Sequence, residues 1–149
     1  MKNQDYLYLD HAASTPMRKS ALDKYIEAES FGFANSSGGH KLSRNSNNLL
    51  EDYREIIAEL LDSAPSEIVF TSGGTEADNW TIKSLFDSKQ PNNNLVTSNI
   101  EHEAVLASAE WISSNGFQTK YAKSDKNGFV TKDEFIKQID DETLSLIHI

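Results

Sequence analysis

An α/β fold, with a mainly parallel sheet flanked by helices, is predicted by three observations in the amino-acid sequence. From Glu67 onward, apolar runs alternate with helical patterns in the order strand, helix, strand, helix, strand, helix, strand. That alternation implies crossover connections onto a largely parallel sheet. Leu49, Leu50, Tyr53, Ile56, Ile57, Leu60 and Leu61 recur at three- and four-residue intervals, giving a long helix one apolar stripe. Between the apolar run EIVFT and the helical pattern GTEADNWTIKSLF stands a glycine pair, Gly73 and Gly74, suited to a strand-to-helix turn.

The elements follow in order. YLYLD (Tyr6 to Asp10) reads as a short strand. Thr15 before Pro16 marks a helix entry, because a proline at the first helical position loses no needed N–H; that helix carries Leu22, Tyr25 and Ile26 and ends near Phe31-Gly32. FANSSGGHKLS is too rich in Gly, Ser and Asn for regular structure and reads as a loop. The striped helix runs from about Asn45 to Ser63, with the charges of LLEDYREIIAEL on its solvated face. After Pro65 come the strand EIVFT and its helix, the loop SKQPNNN and the strand NLVTS. HEAVLASAEWISS is a helix stopped by Asn115-Gly116, and FQTKYA is a strand. Thr131 with Glu134 forms a capping box opening a helix through Phe135, Ile136 and Ile139, and LSLIHI is a closing strand.

Composition narrows the chemistry. The 149 residues hold no cysteine, which excludes disulfides and thiolate chemistry within them. A net charge of −9 argues against a nucleic-acid partner. The start carries no signal-peptide pattern and no run reaches membrane-spanning length, so no membrane is expected and the expected compartment is the cytoplasm. KSDKNGFVTKDE imitates a calcium loop, with Asp125, Asn127, Gly128 and Glu134 at positions three, five, six and twelve. Lys123 stands where the first carboxylate belongs and a strand precedes it, so the segment reads as a turn into a capped helix and no metal is expected. Trp80 and Trp111 read as packing residues.

The glycine turn admits two readings. Successive backbone N–H groups at a helix start, with the unusual dihedrals and close approach that Gly73 and Gly74 allow and hydroxyl donors on Ser72 and Thr75, fit a phosphate. The same residues also serve as a tight turn capped by Thr75. Neither the nucleotide P-loop pattern nor the dinucleotide glycine pattern is present. By itself His102 reads more readily as a helix-start residue interacting with its neighbours than as a ligand.

Three stretches in order, YLDHAASTP, FTSGGTEADN and EHEAV, together resemble the cysteine desulfurases, the class V branch of the pyridoxal-phosphate aminotransferases. The resemblance extends from Tyr8 to the terminus. It implies the N-terminal portion of a fold type I large domain, with residues 1–45 as an N-terminal segment and active-site loop and 46–149 as an incomplete cofactor-binding domain. Gly74 and Thr75 match the positions that bind the phosphate of pyridoxal 5′-phosphate. His102 matches the histidine whose ring stacks on the cofactor and moves protons, the one catalytic role carried over. NSSGGH corresponds to a loop usually written N-P-S-S-x-H; Ser36 replaces the proline and Ser43 stands where a glycine often follows. GGHKLS leans toward the selenocysteine-lyase-like subgroup and SGGTEADN toward the other, while His11 and His40 receive no catalytic role. The implied activity is removal of sulfur from L-cysteine, giving L-alanine and an enzyme persulfide for iron–sulfur or thio-cofactor assembly, by a homodimer serving sulfur-acceptor proteins. The Schiff-base lysine, the aspartate pairing the pyridinium nitrogen and the sulfur-accepting cysteine are expected beyond Ile149, so the chain alone is expected to be inactive. Another class V enzyme, a selenocysteine lyase or transaminase, and a non-catalytic remnant are the alternatives.

Overall fold

The structure, a computed structural model, describes residues 7–86 and 93–148. It divides into two compact units, residues 1–69 and 70–149. The boundary falls after the striped helix, which therefore belongs to the first unit.

In the first unit, α1 spans Lys19–Gly32 and α2 spans Lys41–Leu60. Tyr6 lies outside the described residues, and the strand expected there does not form at residues 7–10. Leu7 and Leu9 are exposed, and the Tyr8 hydroxyl instead closes a local loop by donating to the Asp10 carbonyl at 2.8 Å. α1 starts later than Thr15-Pro16 predicts, with Arg18 in extended conformation as its N-cap, and none of its residues is buried. α2 starts earlier than Asn45. The His40 side chain accepts the Ser43 N–H at 3.3 Å and so caps a helix whose first turn is written in loop-like residues. Ser43, fully buried beneath that ring, holds the cap in place. At the other end Asp62 takes a left-handed backbone (φ 52°) and Ser63 N–H reaches back to the Ala58 carbonyl, closing the helix.

EIVFT is not a strand. Pro65–Glu67 forms one 3₁₀ turn, and Ile68 is extended but has no ladder partner among the described residues. Its carbonyl accepts from the Arg54 guanidinium of α2 instead. A strand needs a neighbour, and an apolar run does not supply one.

The second unit keeps the rest of the predicted alternation. α3 (Gly74–Phe86), β1 (Asn94–Ser98), α4 (Glu103–Ser114), β2 (Gln118–Ala122), α5 (Lys132–Ile136) and β3 (Thr143–Leu146) follow one another. The loop expected at 88–94 lies mostly outside the described residues, as does Ile149. α4 ends where Asn115-Gly116 predicts, Gly116 supplying a φ of 89°. α5 is shorter than expected. Thr131 caps it by accepting the Glu134 N–H at 3.3 Å, but the Glu134 carboxylate bonds Lys137, so the return half of the capping box is absent. In the calcium-like segment the Asp125 carboxylate accepts the N–H groups of Asn127 and Phe129 at 2.8 and 2.9 Å, making a tight turn.

The sheet has strand order β2-β1-β3, all parallel. The chain moves one way across β1 to reach β2 and the other way to reach β3, so right-handed crossovers put α4 and α5 on opposite faces. β1 is buried at all its positions. Ile82 and Phe86 of α3, Val105, Ala109 and Ile112 of α4, and Leu95 of β1 form the core on one face.

Polar bonds close the amino edge of this sheet. Asn94, fully buried, donates from its amide to Asp140 at 2.8 Å and accepts the Thr143 hydroxyl at 3.0 Å; Lys120 of β2 pairs with Asp140. Three strands are thereby tied at one level. Asn94→Ala is expected to lower unfolding free energy by about 1–3 kcal/mol, because it strands buried bonding groups, as read by denaturant titration. The Lys120 ammonium, then the Asn94 amide, hold the Asp140 carboxyl well below its ordinary value of 3.8. A carboxyl depressed in the folded state stabilises above its unfolded pKa and loses that contribution as pH falls through the folded value. Thermal stability is therefore expected to drop as pH is lowered from about 4, with a shallower drop in Asp140→Asn.

Candidate functional site

β1 ends at Ser98, and the turn after it delivers His102 to the N-terminus of α4. The His102 ring is the cap of that helix: its Nδ1 accepts the Ala104 N–H at 3.1 Å. An accepting Nδ1 carries no proton, so the neutral ring holds its proton on Nε2. The residue is exposed.

The other helix start is the glycine bend. The Ala77 N–H bonds the Gly73 carbonyl at 3.1 Å, closing the first turn of α3. Among the described residues, the amides of Gly74, Thr75 and Glu76 have no acceptor elsewhere in the chain, as expected of a helix start. A Cβ at either Gly73 or Gly74 would meet nothing within 4 Å, so the bend opens outward. Neither glycine has a positive φ. The expectation of unusual dihedrals is thus corrected: open space, and not a left-handed backbone, is what the pair provides. Ser72 is corrected too. Its N–H and hydroxyl both donate to the Glu76 carboxylate, at 2.6 and 2.7 Å, and those bonds hold the Glu76 carboxyl below its ordinary range. Thr75 keeps an exposed side chain, while its carbonyl accepts from Asn79.

Two contacts determine how α3 and α4 run. Phe86, the last residue of α3, meets Phe117, just beyond α4, edge-on with centroids 5.1 Å apart. One turn earlier the Lys83 ammonium lies 5.4 Å from the Trp111 ring centroid. The helices pack together with their C-terminal turns matched, so their N-terminal turns lie toward one end. Gly74 precedes Lys83 by as many residues as His102 precedes Trp111. That end is the carboxyl edge of the sheet, where α4 leaves β1, and it is where open α/β sheets bind ligands. Unpaired amides and two aligned helix dipoles favour an anion there.

The sequence reading missed the residues beneath His102. Glu101, with no exposed side-chain surface, bonds Ser98 and lies 2.6 Å from His148 Nδ1. An acidic residue three positions after the strand NLVTS, and a histidine inside LSLIHI, were the available signals. His11 and His40 lie in the first unit; His40 serves as a helix cap.

The family profile described as aminotransferase class V matches residues 7–149. The chain belongs to that family. A cysteine desulfurase IscS of Methanosarcina thermophila is 36% identical over 139 residues, covering 93% of this chain and 34% of the relative. Among solved structures, a NifS-like protein superposes with a TM-score of 0.77 at 32% identity, covering 88% of this chain and 36% of its own. A structure described as SspA in complex with cysteine also reaches 0.77, at 36% identity, with 91% and 40% covered. This class V chain thus spans about a third of the length of the curated relatives it matches. Its parallel sheet with flanking helices is the expected architecture of the family's NifS-like members. Among the described residues, no helix is long and apolar enough to cross a membrane.

The open bend makes Gly74 testable. Gly74→Ala is expected to leave the thermal midpoint unchanged or slightly higher, since a helical alanine has space and better propensity. The added methyl stands between the amides and an anion. Inorganic phosphate that shifts the amide resonances of residues 73–76 is expected to bind the variant about tenfold more weakly, the loss of one charge-assisted bond. Equal affinities would place the anion elsewhere.

Proposed function

We propose that this chain supplies the phosphate cradle and the ring platform of a pyridoxal-phosphate-dependent cysteine desulfurase. The observation that carries this reading is the matched pair of helix starts, with the open Gly74–Thr75 bend on α3 and His102 on α4, at the carboxyl edge of one sheet. The open space at Gly73 and Gly74 and the amides beyond them, without an acceptor among the described residues, fit a phosphate group. Residues 46–149 are proposed as the cofactor-binding part and 1–45 as the segment bordering the active site.

In this reading the amides of Gly74 and Thr75 and the Thr75 hydroxyl hold the phosphate, and the α3 dipole favours its charge. The Glu76 carboxylate, committed to Ser72, adds negative charge beside the cradle, so phosphate is held by directed bonds more than by net attraction. His102 lays its ring against the cofactor plane; with Nδ1 fixed by Ala104, it has Nε2 to hold or deliver a proton. Bound pyridoxal phosphate supplies an electron sink that weakens bonds at the substrate's alpha carbon. The chain has no cysteine, so a sulfur-accepting thiolate comes from outside these residues. Support for L-cysteine as substrate comes from the similarity to a structure described with cysteine and to proteins named cysteine desulfurases. A homodimer, sulfur-acceptor proteins and a cytoplasmic location complete the proposal.

The 149-residue chain mixed with pyridoxal phosphate and cysteine is expected to release no sulfide. It is nonetheless expected to bind the cofactor, with affinity falling about tenfold in Thr75→Ala, as for other bonds to charged groups. Sulfide from the wild-type chain overturns its assignment as catalytically incomplete. Equal binding by the two chains overturns the cradle. A chain of its relatives' full length that carries these residues is expected to form alanine and sulfide in equal amounts, and its failure to do so removes the desulfurase reading.

A further inference from the structure

The turn carrying His102 is held by bonds that the cofactor reading does not use. Asn99 N–H reaches the Ala122 carbonyl at 3.1 Å, and Asn99 Oδ1 accepts Ser124 N–H at 2.8 Å, fastening the turn to β2 and the loop after it. Beneath the turn, Ser98 Oγ donates to Glu101 Oε1 and accepts the Ile100 N–H at 3.3 Å. The same carboxylate oxygen lies 2.6 Å from His148 Nδ1, an ion pair when that ring is protonated. His148 follows β3 and also packs its ring against Phe135 of α5, with centroids 5.2 Å apart. The end of β1, the start of α4 and the end of β3 therefore converge on one buried carboxylate.

Burying a carboxylate is costly unless its partners are well placed. An apolar side chain would fill the same space without that cost. What only the carboxylate gives is direction: its bonds set the backbone of the residue preceding His102. The His102 ring is exposed and among the described residues has one side-chain bond, to Ala104, so its orientation depends on how the turn presents it.

We propose that Glu101 is a positioning residue for His102, held by Ser98 and His148, and that this clamp fixes the imidazole in one tautomer and orientation at the carboxyl edge of the sheet. Its functional weight rests on the ring-platform reading of His102 given above. The clamp itself concerns only the described residues.

The test is nitrogen-15 imidazole spectroscopy of the full 149-residue chain. In the wild type His102 is expected to show a single Nε2–H tautomer. Glu101→Leu, which fills the space without bonds, is expected to replace that signature with a tautomer mixture, while Glu101→Gln, which keeps an acceptor oxygen, restores it. His148→Ala cuts the clamp at its half-exposed end, where loss of fold is not expected, and is predicted to mix the tautomers as well. A folded His148→Ala or Glu101→Leu with an unchanged His102 signature overturns the clamp. Adding pyridoxal phosphate separates the two ideas. Wild-type His102 signals that ignore the cofactor remove the ring platform and leave the clamp standing. Signals that respond to the cofactor but not to His148→Ala remove the clamp and leave the platform.

Discussion

β1 has no exposed face. A strand buried at every position must find hydrogen-bond partners on both edges and apolar neighbours above and below. β2 and β3 satisfy its edges, and Leu95 joins the core built by α3 and α4. Its two ends carry polar groups that are buried along with it. Asn94 is satisfied by Asp140 and Thr143 at the amino edge, and Ser98 by Glu101 at the carboxyl edge. The first set holds the strands in register. The second sets the turn from which α4 departs, and the site depends on that departure.

The matched ends of α3 and α4 follow from the same constraint. With Phe86 against Phe117 and Lys83 over Trp111, the helices meet at the amino side of the sheet and share an opposite end. Two helix starts there concentrate partial positive charge on a chain whose net charge is −9. Attraction at the site is thus local and directional, made by amides and dipoles. Glu76 sharpens the point, since its carboxylate already occupies the donors of Ser72 and leaves the amides of the following residues as the open ones.

The first unit is assembled on weaker terms. α1 buries none of its residues, and Leu60 and Leu61 at the end of the apolar stripe of α2 are largely exposed. Surface ion pairs such as Lys19–Asp23 add little to such a helix. Capping carries more of its definition. His40 over a buried Ser43 fixes where α2 begins, and Asp62 in the left-handed region fixes where it ends.

Periodicity and punctuation in the sequence determined most elements: the stripe of α2, the Asn115-Gly116 stop of α4, the alternation of the second unit, and the Thr131 cap. These signals are local, made by residues close in the chain, and so they can be read from it. That Gly74 and Thr75 open one helix and His102 another was legible for the same reason, as short patterns flanking helix starts. Tertiary structure alone decided which apolar runs became strands. EIVFT and NLVTS look alike as sequence, yet only the second meets neighbours on both edges. It also decided that Glu101 and His148, far apart in the chain, share one bond at the buried Glu101 carboxylate. That pairing depends on a distance that folding creates, and no spacing along the chain encodes it.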